Sequence, residues 1–427
     1  MINPIFKKKN QIEQLENNIK SLYKQGSYKL CIQECEKLAN IYVTKKEIVY
    51  LYLGKCYMNL GDYEKSKQSF IYCLSINQLN LECYINLGTI YAQLNEYELA
   101  FDYFDKYEQL IENDKKSKEY PKRKVGLLQN LCNTCFIQKD YDKTEQYINQ
   151  LLDIDPSNKA AKIIQGDIFY MKEEFEKALE MYFQVLENDK NAISACYKIG
   201  MTNWKLEKFT EAISNFELCL ALDKYFIDSY AAIAMILHRH LEKYDESLFN
   251  LNLYLQYNKK DPLKNVQIYM EMGQIYETLF KSKDAIEQYK KAFDINPNNA
   301  DPLSKIANIY FEKRQDYQAA IEYYEKIIRI KPSCKTSFIR LAKCYFQLQK
   351  YDKCIQVYKN ELLLDPYNSE TFQAIALCYQ ELKNYKESDL YFQLSLQINP
   401  FDNTVKEQYE KLKQLISAQN KSNQNKK

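Results

Sequence analysis

Apolar residues recur along this chain in paired runs at helical spacing, and residues Val266 to Asn299 show the pattern most plainly. Tyr269, Met272, Gly273 and Tyr276 fall at i, i+3, i+4 and i+7, and Ala285, Tyr289 and Ala292 at i, i+4 and i+7. Each series lies on one face of an α-helix and leaves polar residues on the other. Between them, Lys281-Ser282-Lys283-Asp284 is a polar break of turn length. Pro297, flanked by Asn296 and Asn298, stops the second helix because proline has no N–H for a further turn. The spacing predicts a helix–turn–helix module of 34 residues.

Sliding that module along the chain gives eleven copies, beginning near Ile12, Glu47, Leu81, Val125, Lys159, Ile193, Ile227, Val266, Ala300, Lys335 and Ser369. A small residue recurs in the first helix, as at Gly54, Gly88, Gly166, Gly200, Gly273, Ala307, Ala342 and Ala376, with an aromatic such as Tyr57, Tyr91 or Tyr276 three residues later. The second helix repeats a small slot (Ala100, Ala178, Ala212, Ala285, Ala320) and, four residues on, a large one. Phe70, Phe104, Tyr182, Phe216, Tyr289, Tyr324, Tyr358 and Phe392 fill that large slot. Small residues let two helices approach, and the large ring fills the space opposite. One module cannot bury its apolar face alone; a stack can.

The pattern resembles the tetratricopeptide repeat, whose period and slots it shares over about residues 12–402. The resemblance implies an all-α, right-handed superhelical α-solenoid of about eleven helix–turn–helix repeats with a C-terminal capping helix. The expected division is an N-terminal segment 1–11, repeats one to three over 12–114, and a charged exposed insert at 115–124. Repeats four to eleven follow over 125–402, then a capping helix at 403–416 and a disordered polar tail at 417–427. Three features depart from the pattern: repeat one is degenerate, with no small slot over Asn18 to Leu22, repeat four has Cys132 and Cys135 where glycine and tyrosine are usual, and repeats seven and nine gain one residue in the turn between helices.

The 427 residues carry a net charge of +2, so no overall field recruits nucleic acid or an acidic membrane. The first ten residues contain no apolar run of a secretory signal, and the longest apolar run, Tyr230 to Leu237, is too short to span a bilayer. The expected location is intracellular, in the cytoplasm, with the nucleus or a cilium or cytoskeletal structure as alternatives; no membrane insertion is expected. Reduced thiols suit that compartment for the 13 cysteines.

Catalytic parts are missing from the sequence. There is no GxxxxGK or GxGxxG, and seven of the eight glycines sit at repeat slots or turns. His238 and His240, at i and i+2, point to nearly opposite sides of a helix and cannot share a metal. Cys132-Asn133-Thr134-Cys135 has redox or zinc spacing, yet both thiols occupy packing slots, as do all the cysteines except Cys334. Lys122-Arg123-Lys124 after Pro121 has the form of a short nuclear-import signal, against which stands a solvated basic loop. No enzyme activity, metal or cofactor is expected.

By the resemblance, positions 2, 5, 9, 12 and 13 of each first helix line a concave groove. No repeat has the Lys–Asn pair of a carboxylate clamp, and Asn17, Asn86 and Asn130 leave an asparagine ladder broken. Repeat six is apolar on a second face: Tyr197, Met201 and Trp204 recur at i, i+4 and i+7. Ile163 and Tyr170, Met235 and His238, and Met270 extend the excess into repeats five, seven and eight. Aromatic and methionine patches mark binding surfaces, so these eight residues form the candidate groove for a partner peptide or amphipathic helix. The bland reading is thicker packing between adjacent first helices. The function expected is a non-catalytic scaffold or adaptor in a larger protein assembly, with a homodimer through the ends of the stack left open. The alternative is a single-stranded RNA binder stacking bases on Tyr170, Tyr197 and Trp204; Asp167 and the scarcity of groove cations disfavour it.

Overall fold

The computed structural model describes residues 4–41, 46–259 and 261–424, and among them are twenty-three α-helices and no strand. The chain divides into two units, Met1–Leu218 and Cys219–Lys427. The first is built from helix pairs that include Lys46–Asn59 with Tyr63–Ile76, Leu81–Gln93 with Tyr97–Glu112, and Lys159–Met171 with Phe175–Asn188. The second runs from Ile227–Arg239 with Tyr244–Tyr257, through Asn265–Thr278 with Ser282–Ile295, to Ser369–Glu381 with Tyr385–Ile398, and closes with Asn403–Gln424. Within each unit, a second helix packs on its own first helix and then on the first helix of the next repeat.

The predicted small and large slots meet face to face. Phe70, Phe104, Tyr182, Phe216, Tyr289 and Phe392 are all at most 1% exposed, and each of the first five rings lies directly over a glycine of its own repeat. A Cβ added to Gly54 would stand 2.6 Å from the Phe70 ring, and one on Gly200 2.7 Å from Phe216; Gly88, Gly166 and Gly273 are equally tight. No side chain fits at that separation, so the glycine sets how close the two helices come. Where the second-helix small slot holds serine, its hydroxyl donates to the facing carbonyl: Ser66 to Gly54, Ser247 to Ala234 and Ser388 to Ala376, at 2.7–2.8 Å. A buried hydroxyl so satisfied costs little more than alanine.

Each turn between paired helices places one residue in the left-handed region, the usual end of a helix. The following N–H reaches back to the first-helix aromatic, as from Glu96 to Tyr91, Lys281 to Tyr276 and Asn384 to Tyr379, closing the helix with the wide loop of a Schellman motif. Only Gly26 and Gly61 fill that position with the residue best suited to it. Phe280 occupies it at φ 58° with 87% of its surface exposed.

Four local expectations change. Repeat seven holds its extra residue in the turn, whereas repeat nine absorbs its own inside the first helix, as a π turn at Ile309–Lys313. The charged insert is shorter than its sequence suggests, because residues 120–124 form the opening of helix Tyr120–Ile137 with Pro121 in its first turn. Arg123 there pairs with Asp114 at 3.2 Å, and the part-buried Lys124 pairs with Glu108 and Glu112. The basic triplet is therefore helical and largely neutralised. The capping helix does not stop at residue 416; it continues to Gln424, since no glycine or proline follows Pro400 to break it. Residues 4–11 likewise belong to helix Pro4–Lys24, while residues 1–3 and 425–427 lie outside the described part.

Two consequences can be measured. Gly273→Val sets overpacking against Tyr289, a cost of about 1–3 kcal/mol, against the helix propensity that any side chain gains over glycine, about 0.5–1 kcal/mol. Overpacking wins, and amide exchange should accelerate in repeat eight and its neighbours. Conversely, Phe280→Gly relieves a left-handed backbone that costs an L-residue roughly 1–2 kcal/mol, offset in part by glycine's greater unfolded entropy. A gain of up to about 1 kcal/mol should appear as a higher denaturation midpoint.

Candidate functional site

The first helices carry the polar chemistry, and the large slot decides part of it. In three of the four repeats where that slot holds tyrosine rather than phenylalanine, the ring is buried but its hydroxyl reaches a polar residue on the paired first helix. Tyr182 donates to Asp167 at 2.6 Å, Tyr289 to Glu277 at 2.6 Å and Tyr324 to Asn308 at 2.8 Å. Burial and the neighbouring carboxylates push the Tyr182 and Tyr289 hydroxyls far above their ordinary range, so they act only as donors.

Charged pairs then link first helices of successive repeats. In the first unit these are Lys55 with Glu82, and Lys198 with Asp167 at 2.9 Å. In the second they are Arg239 with Glu271 at 2.7 Å, Lys313 with Glu277 at 3.2 Å, and Arg340 with Glu312 at 2.5 Å. Most are solvated and contribute little each. Glu271 differs, because it is 1% exposed. Arg239 holds it with two hydrogen bonds, Nε to Oε1 at 3.0 Å and Nη2 to Oε2 at 2.7 Å, and His238 Nδ1 lies 2.9 Å from Oε1. Burial alone would raise its pKa, but the bonds from Arg239 and His238 outweigh burial and hold it below the usual carboxylate range.

All eight expected groove residues are half-buried, none fully covered and none fully open. In the first unit, Ile163 and Tyr170 pack against the cluster of Ala178, Tyr182 and Ile199. Tyr170 meets Phe175 edge-on at 5.6 Å, and the Tyr197 ring lies 5.3 Å from Phe216. Met201 and Trp204 stand one and two turns further along the same helix. In the second unit, Met270 packs on the cluster containing Tyr289, and Met235 is half-buried on its helix. His238 is committed to Glu271 and to the edge of Tyr244 at 5.9 Å. Its partner Glu271 sits one repeat away, outside the Tyr269, Met272, Gly273 and Tyr276 stripe, and a periodic pattern does not record pairs between repeats, so the bridge was invisible in the sequence.

Burial pushes the Cys132 thiol up to about 12 and Cys135 up to about 11, so both are protonated small hydrophobes near neutrality. Cys334 is the one half-buried cysteine among the thirteen. Among the described residues no group of three or more His, Cys, Asp or Glu could hold a metal, and no helix is long and apolar enough to cross a membrane.

A cavity of about 340 Å³ lies within the second unit, between the first helices of repeats ten and eleven and the start of the closing helix. Ile339, Lys343, Glu370, Gln373 and Leu377 line it, at first-helix positions 5, 9, 2, 5 and 9, with Tyr358 and Asp402 completing the wall. Sequence reading passed over these residues, because none forms an apolar excess like that of repeat six.

Comparison with known proteins agrees with the repeat geometry. A family model for the tetratricopeptide repeat matches residues 49–78, 81–114 and 193–226, and a second TPR repeat model matches 281–313. A model for anaphase-promoting complex, cyclosome, subunit 3 matches 313–389. A TPR repeat-containing protein of Methanocaldococcus jannaschii is 24% identical over 363 residues, covering 72% of this chain and 62% of its own length. Anaphase-promoting complex subunit 3 of Schizosaccharomyces pombe is 22% identical over 230 residues, 53% of this chain and 33% of its own. A human protein O-mannosyl-transferase is 22% identical over 288 residues, 66% of this chain and 31% of its own. The chain thus spans less than two thirds of each of these relatives.

The Glu271 bridge carries a pH signature. A carboxyl whose folded pKa is depressed contributes stability above its unfolded value, near 4.3, and loses that stability as pH falls through the folded value. Glu271→Gln should therefore cost about 2 kcal/mol at neutral pH, and the difference from the unaltered chain should shrink as denaturation is followed into acid.

Proposed function

We propose that this chain, a tetratricopeptide-repeat protein, is a non-catalytic scaffold that holds a partner peptide or amphipathic helix within a larger protein assembly. The observation that carries the reading is the half-buried stripe of Tyr197, Met201 and Trp204 on the first helix of repeat six, continued by Ile163 and Tyr170 in repeat five. Tyr170 and Tyr197 give one side of their rings to Phe175 and Phe216, which fixes them without covering them. Rings pre-positioned in this way lose little entropy on binding, and methionine adapts to the partner's shape. Met235 and Met270, in the second unit, are each half-buried on a first helix.

The charge arrangement favours a polypeptide over a nucleic acid. Lys198, which follows Tyr197 in sequence, is paired with Asp167, which withdraws it from phosphate contact and leaves Lys205 as the other cation adjoining the stripe. Activities of the longer relatives, the transferase included, belong to proteins of which this chain matches about a third or somewhat more than half.

The test is affinity purification of the tagged chain from its own cells, with quantitative mass spectrometry, beside a Trp204→Ala variant. Loss of a hot-spot tryptophan should lower recovery of the direct partner at least tenfold, equivalent to roughly 1.4 kcal/mol or more. Unchanged helical circular dichroism would exclude misfolding. The same partners recovered in the same amounts would remove repeats five and six from the binding surface.

A further inference from the structure

Two of the seams between repeats carry a pair of cysteines in the same register. Cys354 fills the small slot in the second helix of repeat ten, and Cys378 stands two residues beyond Ala376, the small slot of the next first helix. Cys31 and Cys56 hold the equivalent places in repeats one and two, and their thiols are hydrogen-bonded to each other. At the other seams the second-helix place holds alanine, serine or threonine, and the first-helix place holds isoleucine, threonine or, once, Cys344. The seam accommodates residues both smaller and larger than cysteine, so packing does not require two thiols together. Between helices Tyr351–Leu362 and Ser369–Glu381, the Cys378 thiol donates to Cys354 Sγ at 3.3 Å, and both residues are fully buried. Cys132 and Cys135, by contrast, share one helix, where a bond between them would join no two elements.

A disulfide is about 2.05 Å long, so the two sulfurs of the ten–eleven seam have to approach by roughly 1.3 Å to bond. Burial governs when they can react. The hydrogen bond from Cys378, with burial, pushes the Cys354 thiol far above its ordinary range, so it is inert at rest. Reaction waits for local opening of the seam, which stacked repeats undergo in units of a repeat. Once formed, the bond is screened from reducing thiols by the same burial, so the cross-link outlasts the oxidant that made it.

We propose that Cys354 and Cys378 form a redox modification site, which reacts with a hydroperoxide and yields a disulfide that staples repeat ten to repeat eleven. During opening, the thiolate of one cysteine attacks an oxygen of the hydroperoxide and the O–O bond breaks. An alcohol leaves, or water where the oxidant is hydrogen peroxide. Closing returns the resulting sulfenic acid to the second cysteine, whose sulfur attacks it, and the hydroxyl departs with the second thiol's proton as water. The two thiols lose two electrons and the hydroperoxide gains them. The staple then opposes every opening that separates the two helices, and it stands whether or not the groove binds a peptide.

The test treats the reduced full chain with hydrogen peroxide, quenches it with N-ethylmaleimide in denaturant and digests it with trypsin without reduction. Cleavage after Lys353, Lys359 and Lys383 puts Cys354 and Cys378 in separate peptides that hold no other cysteine, so the disulfide appears as residues 354–359 joined to 360–383. That species should exceed any cross-link from Cys354 to another cysteine at least tenfold. In the oxidised chain, amide exchange in helices Tyr351–Leu362 and Ser369–Glu381 should slow at least tenfold, and a phosphine reductant should restore the original rate. Cys354→Ala, which places at this slot the residue that other repeats use, should abolish both effects. Recovery of both thiols as maleimide adducts after the half-buried Cys334 has been oxidised would overturn the assignment. Cross-linking of Cys354 to other cysteines as often as to Cys378, or exchange unchanged by the bond, would do the same.

Discussion

A ring lying over a helix with no side chain beneath it is the contact on which the rest of the fold depends. In five repeats the glycine of the first helix brings the backbone so near that even a methyl group would collide with the facing ring. That approach leaves Phe70, Phe104, Tyr182, Phe216 and Tyr289 at most 1% exposed. Burying an aromatic of this size contributes more than any single polar contact in the module. Repeats nine, ten and eleven place alanine where these five have glycine, opposite Tyr324, Tyr358 and Phe392, and these rings remain at most 4% exposed. The helices there must stand slightly further apart, a tolerance that a glycine repeat, already packed to its limit, lacks.

Once that contact is fixed, the choice between phenylalanine and tyrosine has a consequence on the other side of the helix. A phenylalanine ends in the core, whereas a tyrosine carries a hydroxyl through it to the polar face of the first helix. Tyr182, Tyr289 and Tyr324 thereby orient Asp167, Glu277 and Asn308. Asp167 and Glu277 in turn hold Lys198 and Lys313 of the next repeat. Core packing and inner-face electrostatics are thus joined in single side chains, and one phenolic oxygen connects a repeat's interior to its neighbour's surface.

Periodicity made the architecture readable from the chain, because each slot has one dominant demand, smallness or bulk, that a residue either meets or does not. The eight aromatic large slots all proved buried. What periodicity could not convey was how an irregular residue would be absorbed. The extra residue of repeat nine became a π turn within a helix rather than a longer loop, and the basic stretch after Pro121 became the first turn of a helix because Glu108, Glu112 and Asp114 were near enough to neutralise it. Such outcomes depend on contacts between elements, and a one-dimensional pattern records only contacts within them. The groove residues show the same limit. Their helical face was legible, but the commitment of His238 to Glu271 was not, since a single glutamate gives no sign of its partner 33 residues away.

In a repeated fold, equivalent positions act as internal controls, and chemistry is found where one copy departs from the others. Position 9 of the first helix holds Thr89, Asp167, Met201, Asn308 and Lys343 in different repeats on nearly the same backbone. Thr89 bonds to Asn130 of the next repeat, and Asp167 and Asn308 accept from their own tyrosines. These three serve cohesion. Among the described residues Met201 and Lys343 serve no such internal bond; Met201 is half-buried, and Lys343 lines the cavity of the second unit. A side chain released from holding the stack together while its neighbours remain engaged is available to something outside it. The recurring slots are spent on packing, so what distinguishes one repeat from another lies at the positions between them.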